Sequence, residues 1–237
     1  MAAAGVGSRM AASGSGAPHK ALLQLNGLPL VRRSVERLFE SGALVGAVVV
    51  AHHEDVAAMR ELLAPLSHAA GPVLAVVEGG ATRQASCAAG LAEVGRRLSA
   101  EERSTARVLF HDAARPLVTG SEIRAVLAAL EECPAALLAT PVTQTVKQAD
   151  AEGRVTATVP RENLRLAQTP QGFRFTDALA AFERAAQAGF EATDDVALAE
   201  FCGLAVRIVP GSPWNIKITT PEDLGLAAAI LKLQGRA

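Results

Sequence analysis

Short apolar runs recur along the chain, separated by segments whose apolar residues have helical spacing. The runs are continuous rather than alternating, which is typical of strands buried on both faces of a sheet. Five strands are predicted, at residues 44–50, 73–77, 107–110, 135–139 and 205–209. Their alternation with helices predicts an α/β fold with a doubly wound, mostly parallel sheet covered by helices on both faces.

Helices are indicated by one apolar face and by signals at their ends. They are predicted near residues 31–39, 123–130 and 175–188, and from residue 220 onward. The sequence Thr119-Gly120-Ser121-Glu122 is a capping-box start for the second helix, and Gly189 suits the end of the third. Pro221 and the acids after it suit the positive end of the last helix.

Two segments depart from this alternation. Residues 142–166 are polar with charges of both signs, and residues 154–161 alternate like a half-exposed strand. A connection of this length is too long for a simple turn, so we interpret it as a protruding β-arm. At the start, Met1 lies almost on the glycine turn Gly5-Val6-Gly7. The buried strand that usually precedes such a turn is therefore predicted to be missing.

The amino-acid composition limits which classes of protein this chain can belong to. The 237 residues fit one α/β domain, and half of them are hydrophobic, which is ample for a core. The formal net charge is −1, so the chain lacks the excess of positive charge that typically binds nucleic acid or an anionic membrane. No apolar run reaches the ~18 to 20 residues that span a bilayer, and no signal peptide is recognised. Three scattered cysteines without C-x-x-C spacing are interpreted as reduced thiols, which predicts a cytoplasmic protein.

The histidines carry no metal signal in the sequence. None of the five has the spacing of a metal-binding motif. The pair His52-His53 follows a predicted strand, and we interpret it as part of a loop rather than as a zinc site.

The first twenty residues combine small residues with cations. Gly5 and Gly7 would let a polyanion lie against the backbone, and Arg9 and Lys20 would neutralise its charge. A dinucleotide fingerprint would need glycine at Met10, and a P-loop would need a Gly-Lys pair that the chain lacks. The segment therefore indicates phosphate handling of another kind, with a flexible tail as the alternative.

Three polar clusters follow predicted strands, at the sheet edge where open α/β folds bind ligands. They are the sequences 79–86, 111–116 and 213–219. Gly79-Gly80 would let the backbone approach a flat base or ribose, Asp112 suits Mg²⁺ or a sugar hydroxyl, and Lys217 adds a cation. Each feature also has a purely structural explanation. Gly79-Gly80 would be an ordinary turn, Asp112 would cap a turn, and Lys217 would be a solvated surface lysine.

The chain offers cations and acids, but no nucleophile–base pair of the Ser-His or Cys-His kind in a familiar motif. The cations are Arg9, Lys20, Arg115, Arg161 and Lys217, and the candidate acids are Asp112 and Asp194. Such a set suits a reaction that depends on positioning and charge neutralisation, such as attack on a nucleotide's phosphate.

Taken in order, these blocks resemble the 2-C-methyl-D-erythritol 4-phosphate cytidylyltransferase family nearly end to end. The blocks are Ala3-Ala4-Gly5-x-Gly7-Ser8-Arg9-Met10, Pro18-x-Lys20, Gly79-Gly80-x-x-Arg83-x-x-Ser86, His111-Asp112-Ala113-Ala114-Arg115-Pro116, Thr169-Pro170-Gln171-Gly172-Phe173, Thr193-Asp194-Asp195 and Asn215-Ile216-Lys217. The resemblance implies a Rossmann-like nucleotidyltransferase fold. It also implies transfer of CMP from CTP to methylerythritol phosphate, with release of pyrophosphate, in the non-mevalonate isoprenoid pathway.

The resemblance further implies roles for individual residues. The catalytic cations would be Arg9, Lys20, Arg161 and Lys217. CTP would be bound by Ala3, Ala4, Gly5, Gly7, Gly79, Gly80, Ala81, Ser86 and Ala113. Methylerythritol phosphate would be bound by Asp112, Arg115, Thr145, Arg161, Thr169 and Lys217. Mg²⁺ is the implied cofactor, held mainly by CTP oxygens with Asp112 as the protein contact.

By the same resemblance, residues 1–237 form one cytidylyltransferase domain whose arm, at about 142–166, interlocks with a second subunit. Arg161 and Thr145 would then serve the neighbour's site, and a homodimer would be the active unit. The chain departs from the family pattern where His19 adds a residue before Lys20 and where Ala81 replaces a common acid. Cys87 also replaces a common aliphatic residue, and the buried first strand is predicted to be missing.

Three alternatives remain open at this point. A cytidylyltransferase for another polyol phosphate, such as ribitol 5-phosphate, would share the CTP half and differ in the acceptor pocket. A sugar-phosphate nucleotidyltransferase could use another nucleotide. A non-catalytic nucleotide-binding relative would keep the fold without turnover, and the missing strand is the one feature that favours it.

Overall fold

A computed structural model describes residues 1–5, 19–69 and 73–235 of the chain. Its strands are β1 (Gln24–Leu25), β2 (Leu28–Pro29), β3 (Gly46–Ala51), β4 (Val73–Glu78), β5 (Arg107–Phe110), β6 (Ala135–Pro141), β7 (Val146–Ala149), β8 (Val155–Val159), β9 (Arg165–Arg174) and β10 (Val206–Pro210). Its α-helices are α1 (Leu30–Glu40), α2 (Val56–Ala69), α3 (Arg83–Arg97), α4 (Ala100–Thr105), α5 (Gly120–Glu132), α6 (Phe175–Ala188), α7 (Val196–Phe201) and α8 (Pro221–Leu233). Short 3₁₀ helices lie at Lys20–Leu22 and His53–Asp55.

Among the described residues, six strands form a mixed sheet in two parts, and the pairs β1–β2 and β7–β8 form separate two-stranded sheets. One part has the order β10-β6-β9-β5, and the other pairs β3 with β4. The β3–β4 and β10–β6 pairs are parallel, whereas β9 runs antiparallel to both β5 and β6. Ala2 bridges in parallel to both Val50 of β3 and Asp112 after β5, so these six strands share one direction apart from β9, and the loops after β3, β4 and β5 meet at one edge.

Residues Met1–Ala3 join the two parts of the sheet. Ala2 forms parallel bridges with Val50 of β3 and with Asp112 just after β5. Its N–H donates to the His111 carbonyl (2.9 Å), and the Ala3 N–H donates to the Val50 carbonyl (2.8 Å). The first residues thus occupy a central position between β3 and β5, although the pairing covers only a few residues. The missing first strand stays a prediction.

The space beside Met1, between β3 and β5, is only partly filled by protein atoms. The α-amine of Met1 is buried and donates to the Val48 carbonyl (2.6 Å), and burial lowers its pKa. An apolar groove of about 640 Å³ lies beside Met1 between β3 and β5, lined in part by Val48, Leu91 and Val108. The bridging residues Ala2 and Ala3 therefore lead the N-terminal segment to the sheet edge.

Helices cover both faces of the sheet. Phe173 of β9 lies in a cluster with α3, α6 and α7, where Phe175 and Phe182 are also buried. Its neighbour Gly172 faces α5, because a Cβ at Gly172 would lie 2.8 Å from a methyl group of Val126. Since successive strand residues point to opposite faces, these contacts place helices on both sides.

The strand predictions from apolar runs are confirmed, each to within a few residues at its ends. Strand β9 was not predicted, since its buried positions include polar residues. Gln168, Thr169 and Gln171 are each 6 % exposed or less. Antiparallel β9 inserts between β5 and β6, so the sheet is mixed where the apolar pattern indicated parallel strands.

The signals predicted at the ends of α5, α6 and α8 are confirmed by the structure. Thr119 and Glu122 form the predicted capping box at the start of α5. Thr220 and Asp223 form another at α8, which has proline in its first turn. Gly189 ends α6 with a left-handed φ of 63°, a conformation that glycine adopts at little cost. Helices α2, α4 and α7 were not predicted.

The polar segment contains the hairpin of β7 and β8. These strands pair in antiparallel register, and most of their side chains are exposed. Val155, on β8, is an apolar side chain that is 64 % exposed. The strand that the alternating pattern predicted is therefore present as part of a hairpin, and a protruding arm stays a prediction.

Two further observations bear on the class of protein. Cys87, Cys133 and Cys202 are free thiols in the structure, as predicted. Among the described residues, no helix combines the length and apolar character that a membrane crossing requires.

Candidate active site

A cleft of about 370 Å³ opens at the edge of the sheet where β3, β4 and β5 end. The N-terminal segment forms one wall, and the turn before α3 forms another. The lining residues are Ala2, Ala3, Ala4, Gly5, Lys20, Ala21, Gly80, Ala81, Thr82, Arg83, Ser86, Asp112, Ala113, Ala114, Lys217 and Thr219. The cleft therefore joins segments from both ends of the chain and from two loops between them.

The glycine turn after β4 is packed against the N-terminal segment. A Cβ at Gly79 would lie 2.7 Å from the Cβ of Ala4 and 2.7 Å from the hydroxyl of Ser86. A Cβ at Gly80 would lie 2.5 Å from the Cβ of Ala85. The Gly80 N–H donates to the Ser86 hydroxyl (3.1 Å), so Ser86 holds the turn from inside α3. Only residues without a side chain fit both positions of this turn.

Arg83, the first residue of α3, bridges two acidic side chains from distant parts of the chain. Its Nη2 lies 2.6 Å from a carboxylate oxygen of Asp195, which is 1 % exposed. The same atom lies 3.3 Å from a carboxylate oxygen of Asp112. Arg83 thereby ties the glycine turn to the end of β5 and to the start of α7.

Lys217 completes the charged group at the cleft. Its Nζ lies 2.7 Å from the second carboxylate oxygen of Asp112. Burial alone would raise the pKa of Asp112, but the positive charges of Lys217 and Arg83 outweigh it and hold that pKa below its ordinary value. Burial also disfavours the Arg83 cation, yet Asp195 more than offsets it, and the pKa of Arg83 is raised. Asp112 is therefore a carboxylate and Arg83 a cation at neutral pH.

Buried polar groups fix the backbone behind Asp112. The Asp112 N–H donates to the Thr169 hydroxyl (3.1 Å), which also lies 3.1 Å from Nδ1 of His111. Nε2 of His111 lies 3.1 Å from the Arg115 carbonyl. Burial lowers the pKa of His111 from 6.5 to about 4. His111 is therefore neutral at pH 7 and supports the loop.

Arg115 and Gln171 brace neighbouring loops. The Arg115 guanidinium donates to the carbonyls of Asn215 (2.7 Å) and Ala167 (3.2 Å). The Gln171 side chain accepts from the Asp195 N–H (2.9 Å) and donates to the Asp194 carboxylate (2.9 Å). Arg115 therefore braces these loops through backbone carbonyls, and Gln171 orients Asp195, the carboxylate that pairs with Arg83.

The structure places the predicted residues in three groups. The predicted residues that line the cleft are Ala3, Ala4, Gly5, Lys20, Gly80, Ala81, Ser86, Asp112, Ala113 and Lys217. Those in the adjoining layer are Gly79, Arg115 and Thr169. Thr145 and Arg161 lie beside the hairpin and do not line the cleft of their own chain. Gly7 and Arg9 lie outside the described residues.

Comparisons with known proteins identify the family. Residues 1–233 match the sequence profile of the family described as "IspD: 2-C-methyl-D-erythritol 4-phosphate cytidylyltransferase". The chain belongs to this family.

Individual relatives give the extent of the likeness. The 2-C-methyl-D-erythritol 4-phosphate cytidylyltransferase of Pelotomaculum thermopropionicum is 42% identical, over 100% of this chain and 94% of that protein. The "Bifunctional enzyme IspD/IspF" of Desulforudis audaxviator is 44% identical over 97% of this chain. This chain spans only 55% of that bifunctional protein, about half its length.

A solved structure gives the same result for the fold. The 4-diphosphocytidyl-2C-methyl-D-erythritol synthase of Anaerococcus prevotii superposes with a TM-score of 0.79 at 27% sequence identity. The superposition covers 98% of this chain and 95% of that one. The α/β architecture around the cleft is therefore shared with a solved cytidylyltransferase.

Sequence reasoning missed two residues that hold the candidate site together. Arg83 stood inside the Gly79-Gly80-x-x-Arg83 block, and Asp195 stood beside the candidate acid Asp194, yet neither received a role. The available signal was a cation in the first turn of a helix, where the helix dipole disfavours it. A cation at that position indicates an acidic partner, which the fold supplies from α7.

We predict that His111 makes the protein less stable in mild acid. Its lowered pKa means that the unfolded chain binds a proton before the folded one does, so stability present above pH 6.5 is lost as the pH falls towards about 4. The loss attributable to His111 is about 3 kcal/mol over this interval. His111→Gln should flatten the slope, as measured by urea unfolding between pH 7 and pH 4.5.

The exposed His53 offers a matched control for this measurement. His53→Gln measures how far the same substitution at an exposed position changes the free energy of unfolding. An unchanged slope in His111→Gln would show that His111 is not the group responsible.

Proposed function

We propose that this chain transfers CMP from CTP to 2-C-methyl-D-erythritol 4-phosphate. A phosphate oxygen of the acceptor attacks the α-phosphorus of CTP, and the bond from that phosphorus to the bridging oxygen breaks. The products are pyrophosphate and 4-diphosphocytidyl-2-C-methyl-D-erythritol, an intermediate of non-mevalonate isoprenoid synthesis. Family membership over residues 1–233 supports the reaction. The observation that carries it is a single cleft in which Lys20, Lys217 and the glycine turn meet.

The cleft suggests how CTP is bound. The small side chains of Ala3, Ala4 and Gly5 leave the backbone accessible along one wall. The Gly80 turn forms the adjoining wall, where a flat cytosine would approach the backbone closely. Lys20 and Lys217 also line the cleft, so the triphosphate would lie between cations. We therefore assign the base to the glycine turn and the phosphates to the N-terminal segment.

The charged residues suggest how the reaction is accelerated. Negative charge grows at the α-phosphorus during attack, and preorganised cations stabilise that charge more than they stabilise bound CTP. The ion pair with Asp112 holds Lys217 in place before substrates bind. Arg9, which lies outside the described residues, and Lys20 would act on the CTP phosphates. Lys217 would act on the acceptor phosphate.

The residues present fit a magnesium ion. Mg²⁺ is commonly held by one or two carboxylates together with substrate phosphates. Asp112 is a carboxylate that lines the cleft. Because its pKa is lowered, Asp112 is ionised at neutral pH and can bind a cation. Asp112 would therefore hold Mg²⁺ jointly with CTP oxygens. When bound, the ion would neutralise phosphate charge and help to align the triphosphate.

Pyrophosphate release tests the reaction and the choice of acceptor. We expect release from CTP and Mg²⁺ with methylerythritol phosphate and none with ribitol 5-phosphate. Lys20→Ala should lower the rate by about 10²–10³ through loss of one preorganised charge. The matched variant Lys232→Ala removes an exposed lysine of α8 and should leave the rate unchanged. Release with ribitol 5-phosphate alone, or with neither acceptor, would overturn the proposal.

The hairpin supports a second proposal, a homodimer with shared sites. Arg161 donates to the Thr143 carbonyl (2.6 Å), next to the hairpin and outside its own cleft. Val155 and Leu166 expose 64 % and 56 % of their surfaces on this segment, and a partner would cover such apolar side chains. We infer that the arm at 142–166 docks on a second subunit and brings Arg161 and Thr145 to the partner's site.

Subunit mixing tests this arrangement. Lys20→Ala and Arg161→Ala should each be nearly inactive, but a mixed dimer would contain one site with both residues intact. Random exchange of subunits between the two variants should then restore roughly a quarter of wild-type activity. The measurement is pyrophosphate release after co-refolding of equal amounts of the two variants.

A second mixture is the control. Lys20 and Lys217 line the same cleft of one chain, so mixing Lys20→Ala with Lys217→Ala should restore nothing. If the mixture with Arg161→Ala also stayed inactive, Arg161 would not serve the neighbour's site.

A further inference from the structure

Two histidines and a glutamate meet outside the cleft, at the end of β3. Nε2 of His19 lies 3.8 Å from a carboxylate oxygen of Glu54, and Nδ1 of His52 lies 3.5 Å from the same oxygen. One donor atom from each of the three residues lies within 4.8 Å of the others. Two imidazoles and a carboxylate form the ligand set of many zinc sites that keep a fourth position for water.

A fourth residue orients the first histidine. Nδ1 of His19 lies 2.5 Å from a carboxylate oxygen of Asp55, which is 8 % exposed. If Asp55 accepts the Nδ1 proton, the lone pair of neutral His19 is on Nε2, the atom that faces Glu54. A carboxylate bonded to the far nitrogen of a histidine is the usual outer support of a zinc ligand. The cluster therefore has such a support as well as its ligands.

The second histidine has an unused ring nitrogen. Nδ1 of His52 is shielded from solvent and has no hydrogen-bond partner. Its approach to Glu54 at 3.5 Å is an ionic contact without hydrogen-bond geometry. Native proteins seldom leave a buried polar atom without a partner, so a binding partner is expected for this nitrogen. A metal ion between His52 and Glu54 would supply it.

The charges and distances also match a divalent ion. The carboxylates of Glu54 and Asp55 balance two positive charges when both histidines are neutral. Tetrahedral zinc with bonds of 2.0–2.1 Å needs donor atoms about 3.3 Å apart. The two contacts with Glu54 are close to this value, and the Glu54 side chain is 65% exposed, so it can adjust. Nitrogen ligands favour zinc over magnesium, which prefers oxygen.

We propose that His19, His52 and Glu54 bind one zinc ion, with Asp55 orienting His19 and water in the fourth position. The site joins the residue before Lys20 to the end of β3. Zinc would thus anchor the segment that carries a cleft lysine, without taking part in the cleft itself. His19 is far from His52 in the sequence, which is why spacing gave no signal of a metal site.

Calorimetric titration of zinc chloride into metal-free protein tests the site. We expect one zinc per chain in the presence of excess Mg²⁺, and a zinc-dependent rise in Tm. Asp55→Asn should weaken zinc binding by about 10–100-fold, as the loss of an outer support does. His52→Ala and Glu54→Gln each remove a ligand and should weaken it further. Cobalt(II) in place of zinc should give the visible spectrum of a tetrahedral ion.

Two comparisons keep the outcome unambiguous. His53→Ala removes an exposed neighbouring histidine whose donors are outside the cluster, so it should bind zinc like the wild type. Glu54→Gln changes an exposed side chain and is expected to fold, which circular dichroism would verify. Equal zinc affinity in wild type and Glu54→Gln, or no stoichiometric zinc in the wild type, would overturn the proposal.

Discussion

The arrangement of the cleft depends on the guanidinium of Arg83, held between two buried carboxylates. Asp195 and Asp112 come from the start of α7 and from the end of β5, and both contact the first residue of α3. A single side chain thus joins three segments that are far apart in the sequence. Removing Arg83 would leave Asp195 buried without its ion-pair partner, which is costly. The glycine turn keeps its place because the helix that follows it is held in this way.

The same group sets the electrostatics of the proposed reaction. Asp112 is shared by Arg83 and Lys217, so the negative charge that orients the cations is fixed by the fold. His111 stays neutral behind it, because burial lowers its pKa, and adds no charge to the cleft. The phosphates of CTP would therefore meet cations that are already oriented. Preorganisation of this kind suits a reaction without a protein nucleophile.

Local signals predicted the regular elements, and contacts between distant residues decided the rest. Apolar runs and capping boxes depend on neighbours in sequence, so the core strands and the Thr119 cap were predictable. Strand β9 was not, because its buried polar residues find partners that only the fold supplies. The pairing of Arg83 with Asp195 and the meeting of His19 with His52 likewise arise from the fold. The resemblance to the family supplied the proposed roles of most cleft residues. The residues that position them, such as Arg83 and Asp195, were identified only from the structure.

The most direct test of this account is a double-mutant cycle on the free energy of unfolding. Arg83→Met, Asp195→Asn and the double variant would be compared with the wild type by urea denaturation at neutral pH. Arg83→Met leaves Asp195 buried without its ion-pair partner, and Asp195→Asn leaves Arg83 with only its longer contact to Asp112. The double variant should therefore lose less stability than the sum of the two, with a coupling of about 2–3 kcal/mol. Losses that add to within about 0.5 kcal/mol would contradict the claim that this ion pair holds the cleft together.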